Sequence, residues 1–285
     1  GASAVALALA SCVSLFAQDE ESAPPEEPIG IYSYAASGEP PTFESADAAV
    51  GAFRAALASE GIDALAGLLG LDAAKLKADE NTASAYAQIR DAASRRVKIE
   101  DREDRKILVL GPKLWPFPFP LVKGADGKWA FDTEAGLEEI VNRRIGENEL
   151  QAIATLREYG DAQRDYASED RDEDGVLEYA QKLMSSDGKT DGLYWPEDEL
   201  RGESPAGGFA VESELDDARR GEGYFGYRYR VLTGQGDHVA GDAHDYVING
   251  NMIAGFALLA WPARYEETGV NTFLVSHHGT IYQAD

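Results

Sequence analysis

Apolar positions recur at four-residue spacing in "TFESADAAVGAFRAALASEG", where Ala49, Phe53 and Leu57 fall on one helical face. Ser45 stands just ahead of this run as an N-cap, and Gly61 closes it. A second short helix is predicted from about Asp63 to Leu69, and "AAKLKADENTASAYAQIRDAASRR" reads as a third helical stretch. The period then changes. "KILVLG" (Lys106 to Gly111) is a compact strand signal. "FPLVKGADGKWAFD" is a hairpin, with an Asp126-Gly127 turn and with Trp129 and Phe131 alternating on one face. The preceding "WPFPFP" cannot be an interior strand, because Pro116, Pro118 and Pro120 lack ladder donors. It reads as a rigid edge segment with Trp115, Phe117 and Phe119 as packing anchors.

A long helix is predicted from about Thr133 to Ser168, with Leu137, Ile140, Val141, Leu150, Ile153, Leu156 and Tyr166 on its apolar faces. Gly146 and Gly160 are weak points that kink or split it. The last quarter is strand-rich: "GYRYRVLTG", "MIAGFALLAWP", "NTFLVS" and "TIYQ" are separated by Gly- and Asn-bearing turns. The expected class is α+β. Helices plus a small antiparallel sheet form a cone-like unit over residues 42–132, similar in element order to nuclear-transport-factor-2 or cystatin-like architectures. A long helix plus a C-terminal antiparallel sheet form a second unit over residues 133–285. Residues 18–41, rich in Glu, Pro, Ser and Ala, read as a flexible acidic tether without a core.

Charge narrows the partners. With 51 acidic against 26 basic residues the formal net charge is −25, which repels phosphate backbones and anionic lipid surfaces. Nucleic acid is therefore not expected. The single cysteine, Cys12, forbids an intrachain disulfide. It lies in the apolar run "GASAVALALASCVSLFAQ", and residues 1–17 have the shape of a secretory signal segment. Two processing routes stay open. "LASC" resembles the bacterial lipobox, which would lipidate Cys12 and supply the one expected membrane contact; alternatively, cleavage follows Ala17. Both place the mature protein outside the cytoplasm: periplasmic, anchored at the outer membrane or extracellular.

The strings "WPFPFPLVK", "KWAFDTEAG", "RRIGENEL", "DAQRDYA", "DGLYWP", "GFALLAWPARY" and "TGVNTFLVSHHGTIYQ" resemble the bacterial secreted proteins grouped as domain of unknown function 2950. The resemblance runs from about Thr42 to the C-terminus and implies secretion without an assigned activity. The stretch "ENELQAIATLREYGDAQRDYASEDRDEDGVLEYAQKL" is also similar to the start of pseudopilin-like globular heads, where a helix ends in an Asp-rich loop before an antiparallel sheet.

Candidate chemistry starts with that loop. Asp170, Asp172, Asp174 and Gly175 match the first half of a calcium loop, and Glu178 with the Val176 carbonyl could close a short one. Gln181 stands where an EF-hand needs a bidentate Glu, so a structural Ca²⁺ that staples the helix to the next segment is the sharper expectation. The alternative is a solvated helix end in an acid-rich chain. His238, His244, His277 and His278 lack zinc spacing, and no nucleophile elbow or phosphate-binding loop is present. Tyr194 and Trp195 sit in a loop and, with Trp115, could line a groove for a sugar or peptide; packing between layers is the alternative. Helix ion pairs account for Arg143 and Arg144, and an anion-binding arginine is the sharper alternative. The leading functional expectation is a non-enzymatic interaction or assembly protein with a protein partner or self-association. The competing one is an envelope enzyme or a carbohydrate- or peptide-binding protein acting at an aromatic cleft between the units.

Overall fold

The computed structural model describes residues 30–171, 173–198, 201–239 and 241–285. Residues 1–17, where an export segment is expected, together with Cys12 and Asp172 lie outside the described residues. The fold is α+β. Four helices open it: α1 (Ala46–Ala58), α2 (Asp63–Leu69), α3 (Ala73–Ala78) and α4 (Thr82–Arg95). The Ser45 hydroxyl accepts the Ala48 amide at 3.1 Å, and Ala49, Phe53 and Leu57 are buried, as the spacing predicts. The third helical stretch is two helices rather than one. The break falls at Asp79, whose carboxylate accepts the Asn81 amide at 2.9 Å and so competes with the helical ladder.

A five-stranded antiparallel sheet follows, built from β1 (Val97–Arg102), β2 (Arg105–Leu110), β3 (Trp115–Pro116), β4 (Leu121–Lys123) and β5 (Trp129–Phe131). Its order is β1-β2-β4-β5, with β3 pairing the end of β2. The β4–β5 hairpin turns at Gly127, which has φ +82°. β1 is one strand more than the sequence pattern suggests, because "VKIEDR" carries too few apolar residues to stand out. The proline-rich edge behaves as expected at Phe117 and Phe119, which stack in one chain of rings with Phe53 and Phe131. Trp115 is 40 % exposed, so it anchors less than expected.

Residues 30–41 are not a tether. A 3₁₀ turn at Ile31–Tyr34 lays Ile31 and Tyr34 against the N-terminal core, and the Ala36 amide donates to the Gly70 carbonyl at 2.8 Å. Order therefore begins well before Thr42.

Helix α5 (Thr133–Tyr166) runs unbroken for 34 residues, roughly 51 Å at 1.5 Å per residue. The helix is continuous through Gly146 and Gly160, because packing along both halves outweighs their propensity cost of about 1 kcal/mol each. Its first turns bury Leu137 in the N-terminal core, while Ala152, Leu156, Tyr159 and Ala162 belong to the C-terminal core. Gly136 has a different role: a Cβ there would stand 2.0 Å from the Phe119 ring, so only glycine lets this edge pack on the helix.

The acidic loop leads to α6 (Glu212–Arg219) and then to the second sheet. β6 (Tyr227–Leu232), β11 (Ala257–Pro262), β12 (Thr272–Ser276) and β13 (Ile281–Ala284) form an antiparallel sheet in the order β13-β12-β11-β6. Between β6 and β11 lie two small hairpins, β7 (Gly234–Gln235) with β8 (His244–Asp245) and β9 (Val247–Ile248) with β10 (Asn251–Met252). No helix among the described residues is long and apolar enough to cross a membrane.

Candidate functional site

A chamber of about 410 Å³ opens where the two units meet. Its apolar walls come from α2, α4, α5 and the proline-rich edge: Ile62 and Leu65, Ile89, Ile140, and Phe117 with Phe119. Ile31 and Tyr34 of the 3₁₀ turn close one side, and Arg264 and Glu267 reach in from the loop after β11. The lining residues include no His, Cys or Ser. The mainly apolar lining suits an apolar body.

Polar groups gather at the mouth. The Tyr34 hydroxyl donates to Asp79 Oδ2 at 3.3 Å. Burial first, then the Asp79 charge, raises its pKa, with Arg144 opposing, so Tyr34 stays a neutral donor. Arg264 is held by Glu222 and by Glu267, the latter at 2.9 Å from Nε. Arg144 is different. Among the described residues it forms no ion pair and no hydrogen bond, although it faces the chamber and acts on Tyr34 through its charge. Its neighbour Arg143 pairs with Glu139 at 2.8 Å and sits 5.5 Å from the Trp115 ring. The two arginines are neighbours on α5 that point about 100° apart around its axis: Arg143 is a helix ion pair, and Arg144 is a guanidinium without an ion-pair partner among the described residues.

The expected aromatic site residues do not meet. Trp195 is 2 % exposed, with its indole Nε1 donating to the Gly202 carbonyl at 3.0 Å and Arg171 lying 5.5 Å from its ring. It is packing, and it lines neither the junction chamber nor the cavity of the C-terminal unit. Trp115 lies on the outer edge at β3 and also stays outside the chamber. Tyr194 lines a separate cavity in the C-terminal unit and donates to Glu212 at 3.0 Å. The junction chamber is therefore lined mostly by aliphatic and Phe side chains. Sequence spacing missed it because its walls come from segments more than 200 residues apart.

The acidic loop is knitted to the β9–β10 hairpin. Asp170 Oδ2 accepts the Gly175 amide at 2.9 Å, and Asp174 Oδ1 accepts the Val176 amide at 2.8 Å. Asp174 Oδ2 accepts Asn251 Nδ2 at 2.6 Å, and Glu178 Oε2 accepts the Met252 amide at 2.9 Å. Among the described residues no three His, Cys, Asp or Glu side chains converge on a point that would hold a metal. His277 and His278 fall in the turn after β12, with ring centroids 4.2 Å apart, so they lie side by side and not on opposite faces.

Several strings that carry the resemblance prove to be fastenings. In "ENEL", Asn148 Nδ2 donates to the Thr268 carbonyl at 2.9 Å. Glu149 Oε1 accepts the amides of Val270 and Asn271 at 3.1 and 3.0 Å. In "DAQRDYA", the buried Gln163 donates to the Ala180 carbonyl and accepts its amide, both at 2.8 Å. These contacts hold the chamber-side loop and the acidic loop to α5. No curated protein and no solved structure matches the chain. One family does: the proteins of unknown function grouped as DUF2950 match residues 41–285, most of the chain, and the chain belongs to that family.

Proposed function

We propose that this protein is an exported, non-enzymatic binding protein that holds an elongated apolar molecule with an anionic head in the chamber between its units. The observation that carries this reading is Arg144, a guanidinium without an ion-pair partner among the described residues, at the mouth of a mainly apolar chamber of about 410 Å³. A chamber of that size falls within the range of small-molecule sites. Guanidinium suits a carboxylate or phosphate head because it offers a planar fork of donors. The net charge of −25 repels anions at long range, but screening confines that effect to about 8 Å at physiological salt. Export rests on the signal-like residues 1–17 and on the lipobox-like "LASC".

Titration with cis-parinaric acid, a fluorescent fatty acid, tests the reading. The wild type is expected to bind it saturably. Arg144→Ala should weaken binding about tenfold, the worth of one charge-assisted hydrogen bond. Ala85→Trp, at an exposed α4 position facing the chamber, should block it without unfolding the protein. Absence of saturable binding, or binding indifferent to both changes, would overturn the proposal.

Self-association is a second reading, supported by β13. This strand borders the C-terminal sheet with Tyr282 61 % exposed, and an uncovered edge can pair with another chain. Light scattering at rising concentration tests it, and a monomer throughout would remove it.

A further inference from the structure

The junction chamber carries two charges that the chain leaves unmatched, and they are of opposite sign. Arg144 comes from α5, and Asp79 from the break between α3 and α4; both line the chamber. Asp79 takes its hydrogen bonds from neutral donors. Its Oδ1 accepts the Asn81 amide at 2.9 Å and the Thr82 hydroxyl at 3.5 Å, and its Oδ2 accepts the Tyr34 hydroxyl at 3.3 Å. Among the described residues neither Asp79 nor Arg144 forms an ion pair, with each other or with a third side chain. Both nevertheless lie close enough to Tyr34 to act on its hydroxyl: after burial, the Asp79 charge raises its pKa and the Arg144 charge lowers it. The other charges in the lining are already matched, since Arg264 takes Glu267 and, outside the lining, Glu222.

A carboxylate oxygen has two lone pairs and a guanidinium five donors, so both groups can accept further partners. A ligand with a bare anionic head gains Arg144 but brings its charge near Asp79, and like charges set side by side cost free energy. A head that joins a phosphate to a primary ammonium meets both groups with charge-assisted hydrogen bonds. We infer that the chamber takes a single-chain lipid with a zwitterionic head, its phosphate held by Arg144 and its primary ammonium by Asp79. Lysophosphatidylethanolamine has this chemistry. One acyl chain suits the volume of about 410 Å³, which lies near the lower end of the range of about 300–1,000 Å³ for small-molecule sites. This inference rests on the reading of the chamber given above and adds a cation to the anionic head proposed there.

Lauroyl lysophosphatidylethanolamine and lauroyl lysophosphatidylglycerol share chain and phosphate, and only the first carries an ammonium. Calorimetric titration of the intact protein, with both probes below their micelle-forming concentrations, should show the ethanolamine lipid binding about tenfold more tightly, the worth of one charge-assisted hydrogen bond. Asp79→Asn keeps the shape and an acceptor for the Asn81 amide, and should erase that preference by weakening the ethanolamine lipid alone. Arg144→Ala should weaken both lipids by a similar factor, and Ala85→Trp should block both. The wild-type comparison decides the matter by itself should Asp79→Asn unfold. Equal affinity for the two lipids, tighter binding of the glycerol lipid, or a preference that survives Asp79→Asn would each overturn the inference. If cis-parinaric acid binds as expected while the two lysolipids bind equally, the chamber reading stands and only the zwitterionic head falls. If none of the three binds, both fall.

Discussion

His277 shows how much one position can decide. Its amide donates to the Phe256 carbonyl at 2.9 Å, which turns the ring inward against Tyr246 and Phe256. Gly255 makes room, since a Cβ there would lie 2.7 Å from His277 Nδ1. That nitrogen is buried, and burial, then His278, pull the pKa below the usual histidine value, with the Phe256 carbonyl opposing and His244 adding to the fall. A folded-state pKa below the unfolded one means that the unfolded chain binds the proton more readily. Stability from this group is therefore complete above about pH 6.5 and is lost as pH falls through that value. Melting curves between pH 5 and 7.5 should show the wild type losing stability on acidification, with His277→Gln losing less. Parallel slopes for the two proteins would show that His277 is not the cause. Arg144 makes the same point for binding: its neighbour Arg143 has the same side chain, and only the turn of the helix leaves one paired and the other facing the chamber.

At the scale of elements, α5 is the common wall of both cores, and the loops are fastened to it by side chains that reach across more than 100 residues of sequence. Glu149 is the clearest case, because two backbone amides and the Asn271 side chain all donate to its carboxylate. Glu149→Ala should destabilise the protein by about 2–3 kcal/mol, as donors lose a charged acceptor, measurable by urea unfolding. Little change would mean that water replaces the carboxylate there. The acidic loop follows the same logic. Asp174→Ala removes bonds to Val176 and Asn251 and should lower stability by about 1–2 kcal/mol even in EDTA. A Ca²⁺ ion held by the same carboxylates would add a calcium-dependent rise in melting temperature to the wild type. A melt identical in EDTA and in Ca²⁺ would leave hydrogen bonding as the loop's source of order.

Over the whole molecule, the charge of −25 has to be carried by a fold with two modest cores. Self-repulsion of that size opposes compaction, and salt relieves it as the screening length shrinks from about 30 Å at 0.01 M to about 8 Å at 0.15 M. The melting temperature should therefore rise by a few degrees between those ionic strengths in differential scanning calorimetry. The surface ion pairs lost to screening count for little against this. A falling melting temperature would show that attractive pairs dominate instead.

What the sequence determined by itself was local. The four-residue spacing of Ala49, Phe53 and Leu57, the Ser45 cap, the Asp126-Gly127 turn and the proline-barred edge each state their structure within a dozen residues, and the α+β class and the family follow from such segments. It also named the acidic loop and the two arginines as places to look. What it could not rank was decided by tertiary packing. Whether Trp195 is a groove or a core residue depends on Arg171 and Gly202, and whether α5 breaks at Gly146 depends on two cores it touches only after folding. The chamber itself is made of Tyr34, Phe117, Arg144 and Arg264, which no local period connects. Burial and pairing are properties of neighbours in space, and in this chain the neighbours that make the site are far apart in sequence.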